Sequence, residues 1–334
     1  MRRVIWLIVW AAVVWSGWWA LATIGAVRGI DGWLTARQAE GWQAETTAIA
    51  FDGYPADIQI TLKDLALADP DTGIALESSK LTLLAPAWDP GNVTLVLPDD
   101  PMLLASPEGQ NQLLTQNAQA RLHVKTNKSL ALETMQANAD AWLLKAAAGD
   151  VLAGSASRVL ITQDEEDASQ YQFELDVDAL RPGAVPRAAL SIPQDWPVAF
   201  DQFTLTSTVT FDRPWDITAL EVSRPQPRRI AVQQAEALWG ELQLRFAAAL
   251  DVDAAGAASG TVSLQARNWR AMLNLAEKSG ALPAAIRPQI EQALSTFASL
   301  SGNSETLDLT LTLRDGFISL GFIPLGEAPR LVLR

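Results

Sequence analysis

His123 is the one side chain in this sequence that could serve as the base of a Ser-His-Asp hydrolase, because the chain contains a single histidine. In such a triad the histidine takes the proton of the serine hydroxyl. His123 alternates with Arg121 and Lys125 in a strand pattern, and the chain has no G-x-S-x-G nucleophile elbow. The pattern favours an exposed histidine on the polar face of a strand, and a hydrolase is the third of three functional hypotheses.

Carboxylates form the second group of candidates. The D-E-E-D run at residues 164–167 could attract Ca²⁺, yet it lacks the alternating ligand spacing and the central glycine of a calcium loop. Asp176/Asp178 and Asp251/Asp253 have the spacing of one strand face, and paired carboxylates can serve glycoside hydrolysis. An acidic strand face produces such pairs by chance. We therefore predict a solvated hairpin tip at 164–167 and no catalytic, cofactor-binding or metal-binding residues.

Composition narrows the function further. The chain has no cysteine, which excludes disulfides, thiolate catalysis and cysteine-ligated metals. It also lacks a Walker A loop, a dinucleotide-binding fingerprint and an H-E-x-x-H zinc motif. The formal net charge is −13. Because such a charge repels phosphate backbones, we expect no nucleic-acid partner, and we predict no cofactor and no enzymatic activity.

An uncharged segment at residues 4–27 is the first of the structural elements. As a helix it would be about 36 Å long, enough to cross a hydrocarbon core of about 30 Å. Arg2 and Arg3 precede it, so the N-terminus should stay cytoplasmic and the remainder should be exported. The alternative is a signal peptide cleaved at A-L-A, residues 20–22, but the apolar run exceeds an ordinary h-region and we predict retention. We expect a cytoplasmic stub and transmembrane helix over residues 1–29, with the lipid bilayer as the partner of residues 4–27.

Alternation of apolar and polar residues dominates the rest of the chain, as in the L-D-L-T-L-T-L run at residues 307–313. It is typical of antiparallel strands with one buried face, and we count about 14 to 16 such strands. Turn sequences separate them, including D-G-Y-P at 52–55, D-P-G-N at 89–92 and D-G at 315–316. The last is a strong hairpin signal, because both residues tolerate positive φ.

Two irregularities interrupt this pattern. The alternation slips by one residue at Lys63-Asp64, which predicts a β-bulge. A proline-rich stretch at residues 181–197 predicts a boundary between an N-terminal β region, 30–180, and a C-terminal β region, 181–334. A long loop within one sheet would explain the same stretch, and the sequence leaves both interpretations open.

Helical patterns are scarce. The sequence of residues 32–45 predicts that the first helix continues beyond the membrane. Residues 268–278 predict a short helix stopped by Gly280, and residues 283–300 predict a second one with Pro283 near its first turn. The apolar stripe of this second helix comprises Ile286, Ile290, Ala293, Leu294, Phe297 and Leu300.

The predicted fold is mainly β: an N-terminal transmembrane helix followed by a large antiparallel curved sheet or sandwich, with two short C-terminal helices. A one-sided sheet must bury its apolar face, and two short helices cannot cover so many strands. Either the sheet closes as a sandwich or it curves into an apolar groove, lined by Leu244, Phe246, Leu309 and Leu311. The groove predicts a non-enzymatic binder of lipid or another hydrophobic ligand. The sandwich predicts a structural or protein-interaction module.

Several motifs give the chain a family resemblance. F-D-G-Y-P at 51–55, A-P-A-W at 85–88, D-G-F at 315–317 and L-G-F-I-P-L-G at 320–326 resemble an uncharacterised bacterial envelope family, domain of unknown function 2125. The strand pattern around Trp239-Gly240 is similar, more distantly, to AsmA-like β-groove proteins. This resemblance implies a role in lipid transport or envelope maintenance, with the chain in the bacterial inner membrane and its bulk in the periplasm. It carries over no catalytic residues.

Overall fold

The computed structural model describes residues 2–127, 129–194, 196–278, 280, 282–300, 304–321 and 323–333. Within these residues there are five helices and eighteen strands, which confirms the mainly β fold with one long N-terminal helix and two short C-terminal ones. The helices are α1 (Arg2–Ala39), α2 (Ala184–Ala189), α3 (Thr218–Glu221), α4 (Trp269–Lys278) and α5 (Arg287–Leu300). The strands are β1 (Gln43–Glu45), β2 (Ala48–Asp52), β3 (Asp57–Asp69), β4 (Ile74–Pro86), β5 (Asn92–Val96), β6 (Met102–Ser106), β7 (Gly109–Gln116), β8 (Gln119–Val124), β9 (Leu132–Ala146), β10 (Gly149–Gln163), β11 (Gln170–Pro182), β12 (Gln202–Phe211), β13 (Pro227–Trp239), β14 (Leu242–Val252), β15 (Ala258–Arg267), β16 (Thr306–Arg314), β17 (Phe317–Leu320) and β18 (Ile323–Glu327).

The strands form one antiparallel sheet in which nearly every strand pairs with its neighbours along the chain. β1 and β2 lie end to end against β3, and β4 pairs with both β5 and β6. β5 pairs with β8, β6 pairs with β7, and β7 and β8 both pair with β9. From β9 to β18 each strand pairs with the next. In the described part of the chain, the edge formed by β1 and β2 does not pair with β18, so hydrogen bonding leaves the sheet open.

α1 is a single helix that joins the predicted anchor to its predicted outward extension. It ends earlier than residue 45, because Gly41 adopts a φ of 93° and the amide of Trp42 donates to the carbonyl of Arg37, as expected of a glycine-terminated helix. The second half of α1 lies on the apolar face of β3. There Leu34 is buried with the β3 side chains Ile58, Ile60 and Leu62. One helix therefore serves both as the apolar N-terminal segment and as a cover for the first strands.

The predicted turns are confirmed. Residues 53–56 connect β2 to β3, residues 87–91 connect β4 to β5, and Asp315-Gly316 is the two-residue loop between β16 and β17, with φ of 54° and 79°. The first turn requires its glycine: Gly53 has a φ of 102°, and a Cβ added there would lie 2.5 Å from the carbonyl oxygen of Asp57.

The predicted bulge at Lys63-Asp64 is wrong in form, although the slip in alternation is real. Leu62 and Leu65 both reach the cluster under α1. The register with β4 is the same on both sides, from Lys63↔Lys80 to Leu65↔Ser78, so no residue is inserted. Asp64 instead adopts a left-handed φ of 48°, which turns the following side chains back to the same face.

The strand count and the proline-rich stretch also differ from the simplest expectation. Within the described residues there are eighteen strands rather than 14 to 16, because short strands such as β1 show no clear alternation. The proline-rich stretch connects β11 to β12, which pair directly from Gln170↔Thr210 to Val177↔Phe203. The sheet therefore continues across this stretch, and separate folding of regions 30–180 and 181–334 stays a prediction.

The connection between β12 and β13, residues 212–226 with α3, reaches back across the sheet, and we call it the bridging segment. The carbonyl of Trp215 accepts from the amide of Leu132 at 2.8 Å, and the carbonyl of Glu221 accepts from Nη1 of Arg37 in α1 at 2.9 Å. Strand twist explains this reach: about 20–25° at each of the seven pairings from β3 to β12 accumulates to about half a turn. The accumulated twist therefore brings the bridging segment, which follows β12, back to α1 at the first edge of the sheet.

α4 and α5 pack on the apolar face of the last strands, where Trp269 and Ala298 are buried with Ala266 and Leu307. α4 agrees with the prediction, but α5 begins at Arg287, because residues 284–286 form a turn. The predicted stripe of α5 is partly wrong, since the exposed fraction is 46% for Ile286 and 39% for Phe297. The side chain of Leu300, and residues 301–303, lie outside the described residues.

Candidate functional site

A continuous line of apolar residues crosses the sheet at one level. We call it the apolar track, and each member is the register partner of the next. It consists, strand by strand, of Ile60, Leu83, Leu95, Ala120, Ala137, Val159, Leu175, Leu205, Ala235, Phe246, Leu264 and Leu309. Eleven strand spacings of about 4.8 Å make this track about 50 Å long.

The neighbouring level of the sheet faces the opposite side and is polar. This polar row consists of Thr61, Thr82, Val96, Gln119, Asn138, Arg158, Asp176, Thr204, Glu236, Arg245, Gln265 and Asp308, with Val96 as its one apolar member. Successive residues of a strand point to opposite faces, so the two rows show that the sheet is amphipathic along its whole width.

The track begins in a closed core and then opens. Ile60 is buried beneath α1, whereas from Leu83 to Leu309 every member is half-buried. A second apolar level lies beside it, from Val93 through Phe173 to Leu320, interrupted only by Ser207. Fully buried side chains would be expected in the core of a closed sandwich. The half-buried state instead matches an apolar face that the helices cover only at its two ends.

The four predicted lining residues share this apolar face. Phe246 and Leu309 belong to the track, and Leu311 belongs to the second level. Leu244 lies on the side of the track away from the second level. There it packs, together with Leu309, against the cluster beneath α4 and α5. The register thus brings all four together on neighbouring strands, and their contact with a ligand stays a prediction.

An apolar cavity lies where Leu244 meets α4, and the sequence did not indicate it. Its volume is about 300 Å³. The Phe200 and Trp239 rings stack at 4.7 Å between centroids, and the indole Nε1 of Trp239 donates to the carbonyl of Pro197 at 2.9 Å. The lining comprises Leu190, Phe200, Ala237, Trp239, Leu242, Gln243, Leu244, Met272, Leu275 and Ala276. Two of these residues come from the β11–β12 connection, so only the folded chain assembles the cavity.

The opposite end of the strands is closed by an aromatic cluster beneath the bridging segment. Phe211 makes edge contacts with Tyr171 at 5.9 Å and with Trp215 at 5.5 Å. The Tyr171 hydroxyl accepts from the amide of Trp215 at 3.0 Å and donates to the carbonyl of Leu132 at 3.3 Å. Burial raises the pKa of the Tyr171 phenol above its ordinary value of 10.0. The tyrosine therefore acts as a neutral anchor for the segment.

The polar row contains one carboxylate, that of Glu236, which accepts several hydrogen bonds. Glu236 Oε1 accepts from Nε2 of Gln243 at 2.6 Å and from Nε of Arg245 at 3.1 Å, while Oε2 accepts from Gln234 at 3.2 Å. These hydrogen bonds, the one from Gln243 first, hold the pKa of Glu236 below its ordinary value of 4.5. The group is ionised and fully engaged in holding β13 to β14.

His123 is an exposed strand histidine, as the sequence predicted. Its side chain is 42% exposed, with Nε2 3.0 Å from the carboxylate of Glu133 and Nδ1 2.8 Å from the amide oxygen of Asn92. Both ring nitrogens thus have polar partners from neighbouring strands. No serine is among these partners, so the described contacts of His123 do not form a triad.

The acidic run at 164–167 is a hairpin tip between β10 and β11. Asp164 Oδ1 accepts from the amides of Glu166 and Asp167, and Asp167 Oδ1 accepts from Ser169. The two backbone bonds lower the pKa of Asp164, and the bonds from Ser169 lower that of Asp167. The carboxylates of Asp164 and Asp167 are satisfied by the turn itself. In the described part of the chain, no group of three or more His, Asp or Glu side chains is arranged to hold a metal ion.

One carboxylate of each predicted pair faces an arginine on a neighbouring strand, whereas Asp253 lies in the turn after β14, where its Oδ1 accepts from the amides of Ala255 and Ala257. Asp251 pairs with Arg229 on the neighbouring strand at 2.9 Å, and Asp176 faces Arg158 across the β10–β11 register. Both arrangements are cross-strand charge pairs, which stabilise antiparallel sheets modestly. The pattern that suggested glycoside hydrolysis is therefore explained by strand pairing.

Comparison with known proteins identifies the chain by family. No curated protein and no solved structure matches it, so the similarity to AsmA-like proteins stays an expectation. One family description matches residues 19–329, nearly the whole chain. Of the family motifs noted in the sequence, D-G-F at 315–317 forms the β16–β17 loop and the start of β17, whereas Phe322 lies outside the described residues. The chain belongs to the bacterial family described as an uncharacterised protein conserved in bacteria, DUF2125.

Proposed function

We propose that the protein is a non-enzymatic binder of lipid acyl chains, held in the bacterial inner membrane by α1 with its sheet on the periplasmic side. The observation that carries this proposal is the apolar track. Beyond the buried Ile60 it presents a half-buried apolar surface across eleven strands, and the row on the opposite face is polar except for Val96. Exposed apolar surface of this extent is an aggregation liability unless a ligand or partner covers it.

The position of α1 supports a lipid as the ligand. α1 is long and apolar enough to cross a membrane, and its second half packs on β3, where the track begins. An acyl chain leaving the bilayer would therefore meet the apolar face at the strands nearest the anchor. Arg2 and Arg3 at the start of α1 favour the orientation with the sheet outside the cytoplasm.

The same contacts support retention of the anchor. Indole nitrogens of Trp15, Trp18 and Trp19 donate to the carbonyls of Pro55, Ala87 and Asp57 at 2.9, 3.0 and 2.7 Å. Cleavage after residue 22 would remove all three hydrogen bonds together with the ring contacts beneath them. The first strands would then lose part of their core, so we infer that α1 remains attached.

Site-specific photo-crosslinking in cells tests the lipid proposal. A benzophenone amino acid is placed at Leu205 or Leu175 on the track, with Thr204 and Glu174, the preceding residues of the same strands, as matched controls on the polar face. Cells are grown with labelled phosphate, irradiated, and the protein is purified under denaturing conditions. We expect lipid adducts at both track positions and none at the controls. Absence of adducts at Leu205 and Leu175, or equal labelling of both faces, would refute the proposal.

A second candidate function is a protein-interaction module of the envelope, favoured by the free edge of the sheet. All five residues of β18 are exposed, including Ile323 at 45% and Leu325 at 56%. Among the described strands β18 pairs with β17 alone, so its outer edge can accept a strand from another chain. A benzophenone at Leu325 that captures one reproducible protein, with no lipid at Leu205, would favour this function instead.

A further inference from the structure

The turns at one end of β3 and β4 are fixed to the middle of α1, at a definite level along the helix. The carbonyls of Pro55 and Ala87 accept from the indoles of Trp15 and Trp18. The hydroxyl of Tyr54 lies 2.8 Å from that of Ser16. Two turns of the sheet are therefore attached to residues 15–18 of α1, and they must follow the helix into any environment it enters.

The free part of α1 is too short to cross a bilayer alone. Residues 4–14 precede the first contact with the sheet, and they span about 16 Å as a helix. The hydrocarbon core of a bilayer is about 30 Å thick. With Arg2 and Arg3 at the cytoplasmic boundary, about 14 Å of hydrocarbon remains, and it lies along the part of α1 that carries the two turns.

The exposed side chains at this level suit that environment. On α1, Leu21 is 70% exposed and Ile24 is 45% exposed, so the helix presents an apolar surface beside its contact with the sheet. Three aromatic side chains project around the turns: Phe51 at 59%, Tyr54 at 55% and Trp88 at 65% exposed. We call these three the aromatic turn cluster. Tryptophan and tyrosine are enriched at the interface between hydrocarbon and headgroups, and the ring of Phe51 is wholly apolar.

Charge limits how deep the cluster can lie. Asp52, on the strand next to Phe51, is exposed, and ionised carboxylates stay out of hydrocarbon. From residue 38 to residue 62 the sequence contains no lysine or arginine. Contact with the membrane here would therefore depend on apolar insertion of the rings and not on attraction to anionic headgroups.

We propose that the aromatic turn cluster inserts into the outer leaflet of the bilayer, so that the sheet is seated on the membrane at a fixed orientation instead of hanging from a flexible tether. The bilayer thins locally around the short free part of α1, so that Phe51, Tyr54 and Trp88 lie at the hydrocarbon boundary, with Asp52 among the headgroups. The start of β3 and the end of β4, the first two strands of the apolar track, then lie at the membrane surface. This inference rests on the membrane-spanning role of α1 in the proposed function, but it does not require that the track bind lipid.

Single-cysteine labelling tests the seating, because the chain has no cysteine of its own. The full-length protein carrying Phe51→Cys or Trp88→Cys is labelled with the environment-sensitive fluorophore NBD and reconstituted in phosphatidylcholine nanodiscs. Val9→Cys reports on the anchor, and Glu166→Cys, at the exposed β10–β11 turn, is the control in water. Circular dichroism of each labelled protein verifies the fold.

We expect blue-shifted emission at positions 51 and 88, quenching by lipids with a spin label near the headgroup, and loss of quenching by aqueous iodide relative to position 166. The same shift should appear in phosphatidylglycerol nanodiscs. The seating is overturned if positions 51 and 88 behave like 166 while position 9 is shielded, because the bilayer would then meet α1 alone. A shift that requires anionic lipid also overturns it. Quenching of position 9 by iodide would show that α1 does not span the bilayer and would overturn the seating with it. Photo-crosslinks on the track report separately on lipid binding.

Discussion

Replacing Tyr171 with phenylalanine should loosen the bridging segment without disturbing the aromatic cluster. The side chain of Tyr171 is completely buried, and its hydroxyl makes three hydrogen bonds, to the amide of Trp215 at 3.0 Å, to Nε2 of Gln163 at 2.9 Å and to the carbonyl of Leu132 at 3.3 Å. Tyr171→Phe removes all three while keeping the ring and its contact with Phe211. The perturbation is therefore confined to the polar link.

The expected loss of stability follows from these partners. Each net hydrogen bond contributes about 0.5–1.5 kcal/mol, and a buried donor left without an acceptor costs about 1–3 kcal/mol. Nε2 of Gln163 also donates to the carbonyl of Ala168 at 2.7 Å and loses less. The amide of Trp215 and the carbonyl of Leu132 lose the hydroxyl. We expect Tyr171→Phe to lower the free energy of unfolding by about 2–4 kcal/mol, a large fraction of an ordinary stability.

Urea unfolding of the full-length protein in detergent, followed by far-ultraviolet circular dichroism, measures this loss. Hydrogen exchange localises it, because the amide of Trp215 should exchange faster in the variant. Tyr54→Phe is the matched control: the chain has two tyrosines, and the exposed Tyr54 hydroxyl has one partner, Ser16, so its loss should stay near zero to 1 kcal/mol. Tyr171→Phe should also abolish the phenol that ionises above pH 10. A loss below about 1 kcal/mol with unchanged Trp215 exchange would refute the reasoning.

Three further changes test other parts of the fold. Because the pKa of Glu236 is lowered in the folded state, its carboxylate stabilises the fold at pH values above the ordinary pKa of 4.5, and this stabilisation is lost as the pH falls through the folded-state pKa. The free energy of unfolding of Glu236→Gln, measured by urea titration, should therefore fall less steeply with decreasing pH than that of the wild type. An unchanged slope would contradict this. Gly260→Ala should lower the free energy of urea unfolding by about 3 kcal/mol or more, because its Cβ would lie 2.1 Å from the carbonyl oxygen of Ala249 at a φ of 142°. Gly109→Ala, which has a φ of 149° but open space around it, should lower it by less. Arg37→Met should keep its packing yet lose the link to the bridging segment, lowering stability by about 1–2 kcal/mol and speeding amide exchange at residues 218–223; exchange at the wild-type rate would contradict that link.

Local patterns in the sequence predicted the elements well. The alternation at 307–313, the D-G hairpin at 315–316 and the helix at 268–278 each depend on residues a few positions apart. The preferences of neighbouring residues for one face, one turn or one helical stripe act over that distance. Errors came where an element was too short to show a period, as in β1, or where a left-handed residue changed the phase, as at Asp64.

The candidate site could be predicted only in part. The sequence indicated an apolar strand face and placed Phe246 and Leu309 on it. It did not show that one apolar level would continue from Ile60 to Leu309, because that depends on the register of eleven strand pairings between separate segments. A shift of one residue between β11 and β12, for example, would have placed Thr204 or Thr206 opposite Leu175 instead of Leu205.

The sequence by itself determined that the chain begins with an apolar helix, continues as one-sided antiparallel strands and contains no cysteine and no Walker A motif. These properties follow from composition and from short-range periodicity. Only the tertiary structure decided that α1 covers β3 as well as being able to cross a membrane, that Trp15 and Trp18 hold two turns of the sheet, and that the bridging segment returns to Arg37. Those contacts join residues as many as 184 positions apart. They arise from sheet twist and packing, which no local pattern encodes.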